Sequence, residues 1–489
     1  MKSIKWPWLF ISLSFFGLIY SLISFFNHYL FRTYALDLGL YTNALYKYSR
    51  LIPADSALFK EINEYLLGDH FDLYLPLFSP LVYLFGTYTL LIVQIASILA
   101  GGYGVYRYFK LINPDNQLIQ LVSTLSFLTF FGVFSAISFD YHSNVVAAML
   151  VPWLFFFFKK KNFLVSTIFL LAILIAKENM ALWVIFICLG MAVEYWKDKR
   201  SLAWLLAFTV FSGIYFMVIL NVVMPWIASS GKYNGFSYTS LGQSPWDALS
   251  EIIFHPLESF KMLFTNHLDY PYGNYVKTEL HILVLISGLY FLFLKPRYLI
   301  MLIPIYFQKM FHDSTHVWGI SGQYSIEFAP VLAIGVFTVI SEFKNKKIER
   351  LMSLMVFIGV LFATVRIMDR TVLYTDKAKI RFYQSRHYNR NYDVKPVYSL
   401  LKSIPSDAAV SAQSPFVPHL ALRNKIYQFP LIKDAEYIVI SDQEDKFPLK
   451  DEKYFTNTKM LLESGEWEEI TQHDVIRILK KTNTPGTND

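Results

Sequence analysis

NFLVSTIFLLAILIAKENMALWVIFICLGMAVEYW, residues 162–196, is the stretch on which the fold turns. Two apolar runs, 163–176 and 180–193, are separated only by Lys177-Glu178-Asn179, and basic clusters close the far ends at Lys159-Lys160-Lys161 and at Lys197, Lys199 and Arg200. A bilayer core about 30 Å thick takes roughly 20 apolar residues per helical span, so the pattern predicts a membrane hairpin with a charged turn. Run 163–176 is short for a full crossing, which predicts a tilted, kinked or partly re-entrant helix.

The same pattern continues in both directions. Eleven apolar stretches fall at roughly 7–30, 87–108, 117–136, 143–158, 162–176, 180–196, 202–226, 281–294, 298–311, 322–342 and 349–368. Over 489 residues the chain is 54% hydrophobic and 18% aromatic, with a mean hydropathy of +0.37, too apolar for a water-soluble globule of this size. The fold class expected is therefore a polytopic α-helical membrane protein with about eleven transmembrane helices. A formal charge of +7 does not point to nucleic acid, because the lysines and arginines lie in short clusters between apolar runs. The lone cysteine, Cys188, lies inside such a run and offers neither an intrachain disulfide nor a cysteine-zinc site.

Basic clusters at Arg107/Lys110, Lys159 to Lys161, Lys197 to Arg200, Lys295/Arg297 and Lys344 to Lys347 each follow an even-numbered span, and cytoplasmic loops carry such clusters. The N-terminus is then cytoplasmic and the C-terminus external, in a multi-pass cell-membrane protein. Lys2 and Lys5 precede a first run that reaches Leu30 without a small-residue cleavage site, so an uncleaved first span is expected. Residues 1–368 form the transmembrane part. Within it, 31–86 is a first external loop with amphipathic, interfacial helices, its 73–85 stretch broken by Pro76 and Pro80, and 228–280 is a second large external loop. From 369 to 489 charges become frequent and a small external α/β soluble domain is expected. Its strands are placed near 408–412, 425–429 and 437–441 and its helices near 397–403 and 455–464, with a last hairpin across Gln472-His473-Asp474. No repeat marks two transporter-like halves.

In this orientation Asp37, Asp69, His70, Asp72, Asp140, His142, Lys177, Glu178, His312, Asp313 and His316 all fall at the external ends of spans. An ionisable group at membrane depth costs about 2.5 to 3.5 kcal/mol on insertion scales, which makes the collection a functional hypothesis. Each member has a plainer reading too. Lys177-Glu178 suits a wet hairpin turn, Asp140-Tyr141-His142 an interfacial aromatic belt, and Asp37 the cap of the helix that follows. Asp69, His70, His312 and His316 offer oxygen and nitrogen donors to a divalent metal ion, although their spacing matches no metal motif.

Several strings, in order, cover nearly the whole chain: Leu36-Asp37-Leu38-Gly39, the 70–83 stretch with Ser79-Pro80, Gln94, Phe139-Asp140-Tyr141-His142, Lys177-Glu178 and Gln323-Tyr324. Ala409-Val410-Ser411-Ala412-Gln413, Pro418-His419-Leu420 and Arg423 complete the series. Together they resemble the domain-of-unknown-function family two-zero-seven-nine of polytopic membrane proteins. That family in turn looks like the GT-C superfamily of integral membrane glycosyltransferases, which use polyprenyl-phosphate-linked sugars on the non-cytoplasmic face. The resemblance implies a GT-C-like fold and a transferase that takes a polyprenyl-phosphate sugar lipid as donor, with membrane lipids around it and an acceptor the sequence does not identify. It implies Asp37 as general base, His70, His142 and Lys177 as holders of the donor phosphate, and Glu178 as a catalytic residue orienting one of those cations. Asp69, Asp140, Gln323 and Tyr324 would complete the substrate site. The first loop departs from the acidic pair usual there, since leucine flanks Asp37 on both sides. Two other classes compete: a transporter or flippase for a lipid-linked or anionic substrate, and a non-catalytic membrane scaffold.

Overall fold

A computed structural model describes residues 7–61, 64–233, 235–471 and 473–482. Lys2, Lys5 and Gln472 lie outside the described residues. Each of the apolar stretches carries helix. In chain order the main ones are α1 (Pro7–Tyr29), α2 (Leu40–Tyr48), α3 (Thr89–Ile112), α4 (Gln117–Leu128), α5 (Phe131–Ile137), α6 (Ser143–Lys159), α7 (Phe163–Leu174), α8 (Met180–Glu194) and α9 (Lys199–Val218). After a loop bearing α10 (Pro245–Phe254) and α11 (Pro256–Met262) come α12 (Val276–Ile286), α13 (Arg297–Met310), α14 (Phe328–Ser341) and α15 (Lys346–Asp369).

The expected count of eleven crossings is not what helix length supports. Among the described residues four segments are long and apolar enough to cross, Pro7–Tyr29, Tyr74–Ile112, Lys199–Ile227 and Lys346–Asp369, and a fifth if α4 and α5, bent by 41°, count as one span. At 1.5 Å per residue α7 is only about 18 Å long and α6 about 26 Å, both short of a core of about 30 Å. Charged turns on either side cut these helices short.

The helices nonetheless run alternately between two chemically different ends. At one end, side chains of Asn116, Asn162, Asp198 and Asn345 cap the starts of α4, α7, α9 and α15 by accepting backbone N–H bonds. Basic residues there are paired: Glu194 receives Lys159 at 3.1 Å and Arg297 at 3.3 Å, while Lys161 meets Asp198 and Lys295 meets Glu342. Close helix contacts hold the bundle between the ends. A Cβ on Gly190 of α8 would stand 2.5 Å from the Arg297 carbonyl oxygen of α13, so only glycine allows that approach.

The stretch 73–85 is a chain of short helical turns leading into α3. Helix α2, expected at the membrane surface, is instead buried: Leu40, Tyr41, Thr42, Asn43, Ala44, Leu45 and Lys47 are all enclosed. The 74–81 turns and the C-terminal part of the chain both cover it, and Asn43 Nδ2 donates to the carbonyls of Ala421 (2.9 Å) and Arg423 (2.8 Å).

Past Asp369 a five-stranded sheet forms from β1 (Val410–Ala412), β2 (Ile426–Gln428), β3 (Tyr437–Ile440), β4 (Trp467–Glu469) and β5 (Arg477–Lys481) in the order β2-β1-β3-β5-β4. The first three are parallel, Ser411 pairing with both Tyr427 and Ile438, and β5 is antiparallel to β3 and β4. Helices α16 (Val394–Ser403) and α17 (Asp451–Glu463) accompany it. Val410, Phe416 and Val417 belong to the same hydrophobic core as Phe31, Ala35 and Leu38.

Candidate functional site

Asp37 lies in a π-helical turn, Ala35–Gly39, a distortion that recurs at functional sites because it turns a side chain out of helical register. Three neighbours hold the turn. Ser414 Oγ accepts the Ala35 N–H at 3.1 Å, and Asp140 Oδ2 accepts the N–H groups of Tyr34 (3.0 Å) and Leu38 (3.5 Å). A Cβ on Gly39 would meet Val417 Cγ1 at 2.8 Å, so the C-terminal part rests directly on this turn.

Asp37 Oδ1 lies 3.2 Å from His142 Nε2. With Asp37 ionised, that bond needs a proton on His142 Nε2, while Nδ1 is buried and without a hydrogen-bond partner among the described residues. Gln94 of α3 fixes the segment: its Oε1 accepts the His142 N–H at 3.0 Å and its Nε2 donates to the Asp140 carbonyl at 3.3 Å. Phe139 stacks on the His142 ring and Tyr41 meets it edge-on.

Burial works to raise the Asp37 carboxyl, but the His142 ring, followed by Lys379 and Lys177, outweighs burial and holds it below the ordinary carboxylate value. Asp140 goes the other way. Burial, with Asp37 adding to it, lifts its carboxyl to about 6 against the pull of Lys379. Lys379 is the cation that sequence reading missed. It stands over the rings of Tyr34 (4.8 Å) and Phe139 (5.3 Å), and burial lowers its affinity for its proton while Asp140 and Asp37 oppose.

The turn quoted at the outset forms the opposite wall. Glu178 is buried, its Oε2 accepts the Phe71 N–H at 3.2 Å, and its Oε1 stands 3.6 Å from His70 Nδ1. Leu73 N–H donates to the Ile175 carbonyl, so the 70–73 segment is stitched to the end of α7. Burial would raise the Glu178 carboxyl, yet His70 and Lys177 draw it down to about 2. Asp72 is lifted to about 7, burial outweighing the Tyr74 N–H, Ser143, Lys177 and His70. Lys177 is half-buried with no carboxylate within 4.0 Å among the described residues, and its charge reaches Asp37, Asp72, Glu178 and Glu327 together. Lys177 is thus within electrostatic range of carboxylates from both segments.

The remaining expected residues divide. Tyr324 lies near enough to Asp37 for their charges to interact, and Gln323 is buried with Oε1 unpartnered among the described residues. Asp69 turns outward to Lys60 at 4.0 Å. His312 Nδ1 accepts the Ser314 N–H at 3.0 Å, and His316 is exposed. Among the described residues no group of three or more His, Cys, Asp or Glu stands close enough to hold a metal ion.

Three helices begin at this polar region without a side-chain cap: α6 at His142, α8 at Asn179 and α14 at Glu327. Asn144 Nδ2 donates to Glu327 Oε1 at 2.8 Å, tying the first to the third. Uncapped N–H groups and the positive ends of helix dipoles favour an anion there. The region therefore combines the ionised carboxylates of Asp37 and Glu178, the imidazoles of His70 and His142, two lysines and three helix starts.

The family model described as predicted membrane protein (DUF2079) matches residues 27–475. No curated protein matches the chain.

Proposed function

Because this chain belongs to the DUF2079 family of predicted membrane proteins, we propose that it is a membrane glycosyltransferase, moving a sugar from a polyprenyl-phosphate-linked donor to an acceptor on the external face of the cell membrane. The observation that carries the reading is the Asp37 to His142 pair at 3.2 Å inside a polar region ringed by Lys177, Lys379 and three uncapped helix starts. In the proposed step the acceptor oxygen bonds to the sugar's anomeric carbon while that carbon's bond to phosphate oxygen breaks. The electron pair leaves with the polyprenyl phosphate. The acceptor hydroxyl's proton passes to Asp37, whose bond to His142 keeps it ionised and aimed. Lys177, His70 and the helix starts stabilise the departing phosphate, and Glu178 holds His70 and Phe71 in place. The basic clusters at the opposite end supply the orientation, since such clusters stay cytoplasmic. In this GT-C-like arrangement the shorter helices also cross, through local thinning of the bilayer and snorkelling of the flanking charged residues.

A flippase needs ionisable groups along the path between the two faces. Here the polar region and the basic clusters occupy opposite ends of apolar helices, which favours chemistry at one face.

The test is transfer from radiolabelled polyprenyl-phosphate sugars by purified protein in detergent, following release of polyprenyl phosphate. Asp37→Asn is expected to slow it by about 10²- to 10⁴-fold, the usual contribution of a positioned base. Equal rates for Asp37→Asn and wild type would overturn the assignment.

A further inference from the structure

The loop between α9 and α12 carries an apolar face that the fold does not use. The side chains of Trp246, Leu249 and Ile253 on α10, Leu257 and Phe260 on α11, and Phe264 in the turn after it are between 49% and 73% exposed. The second trio repeats the i, i+3, i+7 spacing of the first, so an exposed apolar stripe lies on either side of the break at Pro256. Each helix also has a second apolar side that is covered: Ala248 and Ile252 of α10, with Met262 and Leu263, pack against Phe307 and Phe311 at the end of α13. Asp247, Glu251 and Glu258 fall on another side of these helices by helical spacing, beside the exposed Phe254.

A helix pair packed on one side, apolar on the next and charged on the third is built for the boundary between protein, lipid and water. What covers the open side follows from where the loop begins. It leaves the end of Lys199–Ile227, the apolar segment least covered by the rest of the molecule, with 17% of its apolar window buried. Trp226, at that exit, and Tyr272, beyond α11, are 85% and 83% exposed, as aromatic side chains at a bilayer interface are. The stripe thus continues a surface already facing lipid. We propose that α10 and α11 lie in the headgroup region of the outer leaflet with this stripe against the acyl chains, forming a lipid-embedded rim beside the polar region. Thr239 and Asp313 fix the rim to that side of the protein, Asp313 Oδ1 accepting the Thr239 N–H at 2.9 Å. The assignment holds whatever reaction Asp37 serves.

The full chain in phosphatidylcholine vesicles tests it. Cys188 is the only cysteine, so a Cys188→Ser background takes an environment-sensitive dye at Ile253→Cys or Leu257→Cys, compared with Glu251→Cys or Glu258→Cys. Lipids with a spin label on the acyl chain should quench the first pair about threefold or more than the second, and aqueous iodide should show the reverse order. Iodide quenching all four alike would put the stripe in water and overturn the proposal. So would protection of 253 and 257 from both quenchers, which would mean that protein covers it, a second copy included. Because Cys188 is buried, the unmodified chain provides an independent check: an acyl-chain photoreactive lipid should label the 245–264 peptide. Absence of label there, with Lys199–Ile227 labelled, would also overturn it.

Discussion

Among single residues, the carboxylates around Asp37 carry opposite pH signatures. Asp72 is lifted to about 7, so it favours the folded state while protonated and opposes it as it ionises. Stability should therefore fall as pH rises from about 4 to 7. Asp72→Asn keeps the acceptor for the Tyr74 N–H and removes that charge. It is expected to stabilise the fold at pH 8 by at most about 4 kcal/mol from the size of the lift, read as a raised thermal midpoint in detergent, with the gap closing toward pH 4. Asp37 behaves the other way. Held low by His142, it stabilises the fold above the ordinary carboxylate value near 4, and acid removes that contribution as pH falls below it. Asp37→Asn should accordingly lower the midpoint at pH 7 and have little effect in strong acid. Gln94→Leu is a test of positioning: it leaves the His142 N–H buried without an acceptor, a cost of about 1 to 3 kcal/mol, and should lower turnover more than donor binding.

Of the elements, the helices were legible from the apolar runs, because burial in lipid or protein demands an unbroken stretch that any reader of the chain can see. Their lengths were not. Runs such as 162–176 merge capping and turn residues with helical ones, and the caps Asn162 and Asp198 decide where helix begins. Asn162→Ala should cost about 1 kcal/mol at the start of α7, measured as a lowered thermal midpoint at unchanged transfer rate per folded molecule. Helix α2 shows the opposite failure. Its mixed polarity suggested a membrane surface, whereas the buried Asn43 amide donates to carbonyls almost 400 residues away in sequence and Lys47 pairs with Asp55.

For the molecule as a whole, two ends of different chemistry predict a sidedness that labelling can check. With Cys188→Ser as background, Asp69→Cys and Lys347→Cys in sealed vesicles should react with impermeant reagent from opposite sides. Reaction of both from one side would refute the arrangement of alternating helices. Lys379 and Ser414 tie the C-terminal part to the site, so Lys379→Ala should weaken donor binding while Lys379→Arg, which keeps the charge, retains most of it.

Sequence by itself determined the apolar segments, their polar ends and the strands of the small sheet, since these follow from the periodicity of neighbouring residues and from the cost of charge in lipid. Only tertiary structure decided that Asp140 braces the Asp37 turn, that Glu178 anchors His70 and Phe71, and that Lys379 reaches Asp37 from beyond the last apolar helix. Those pairings join residues more than a hundred positions apart, and local patterns of hydrophobicity contain no term for which distant loops will meet.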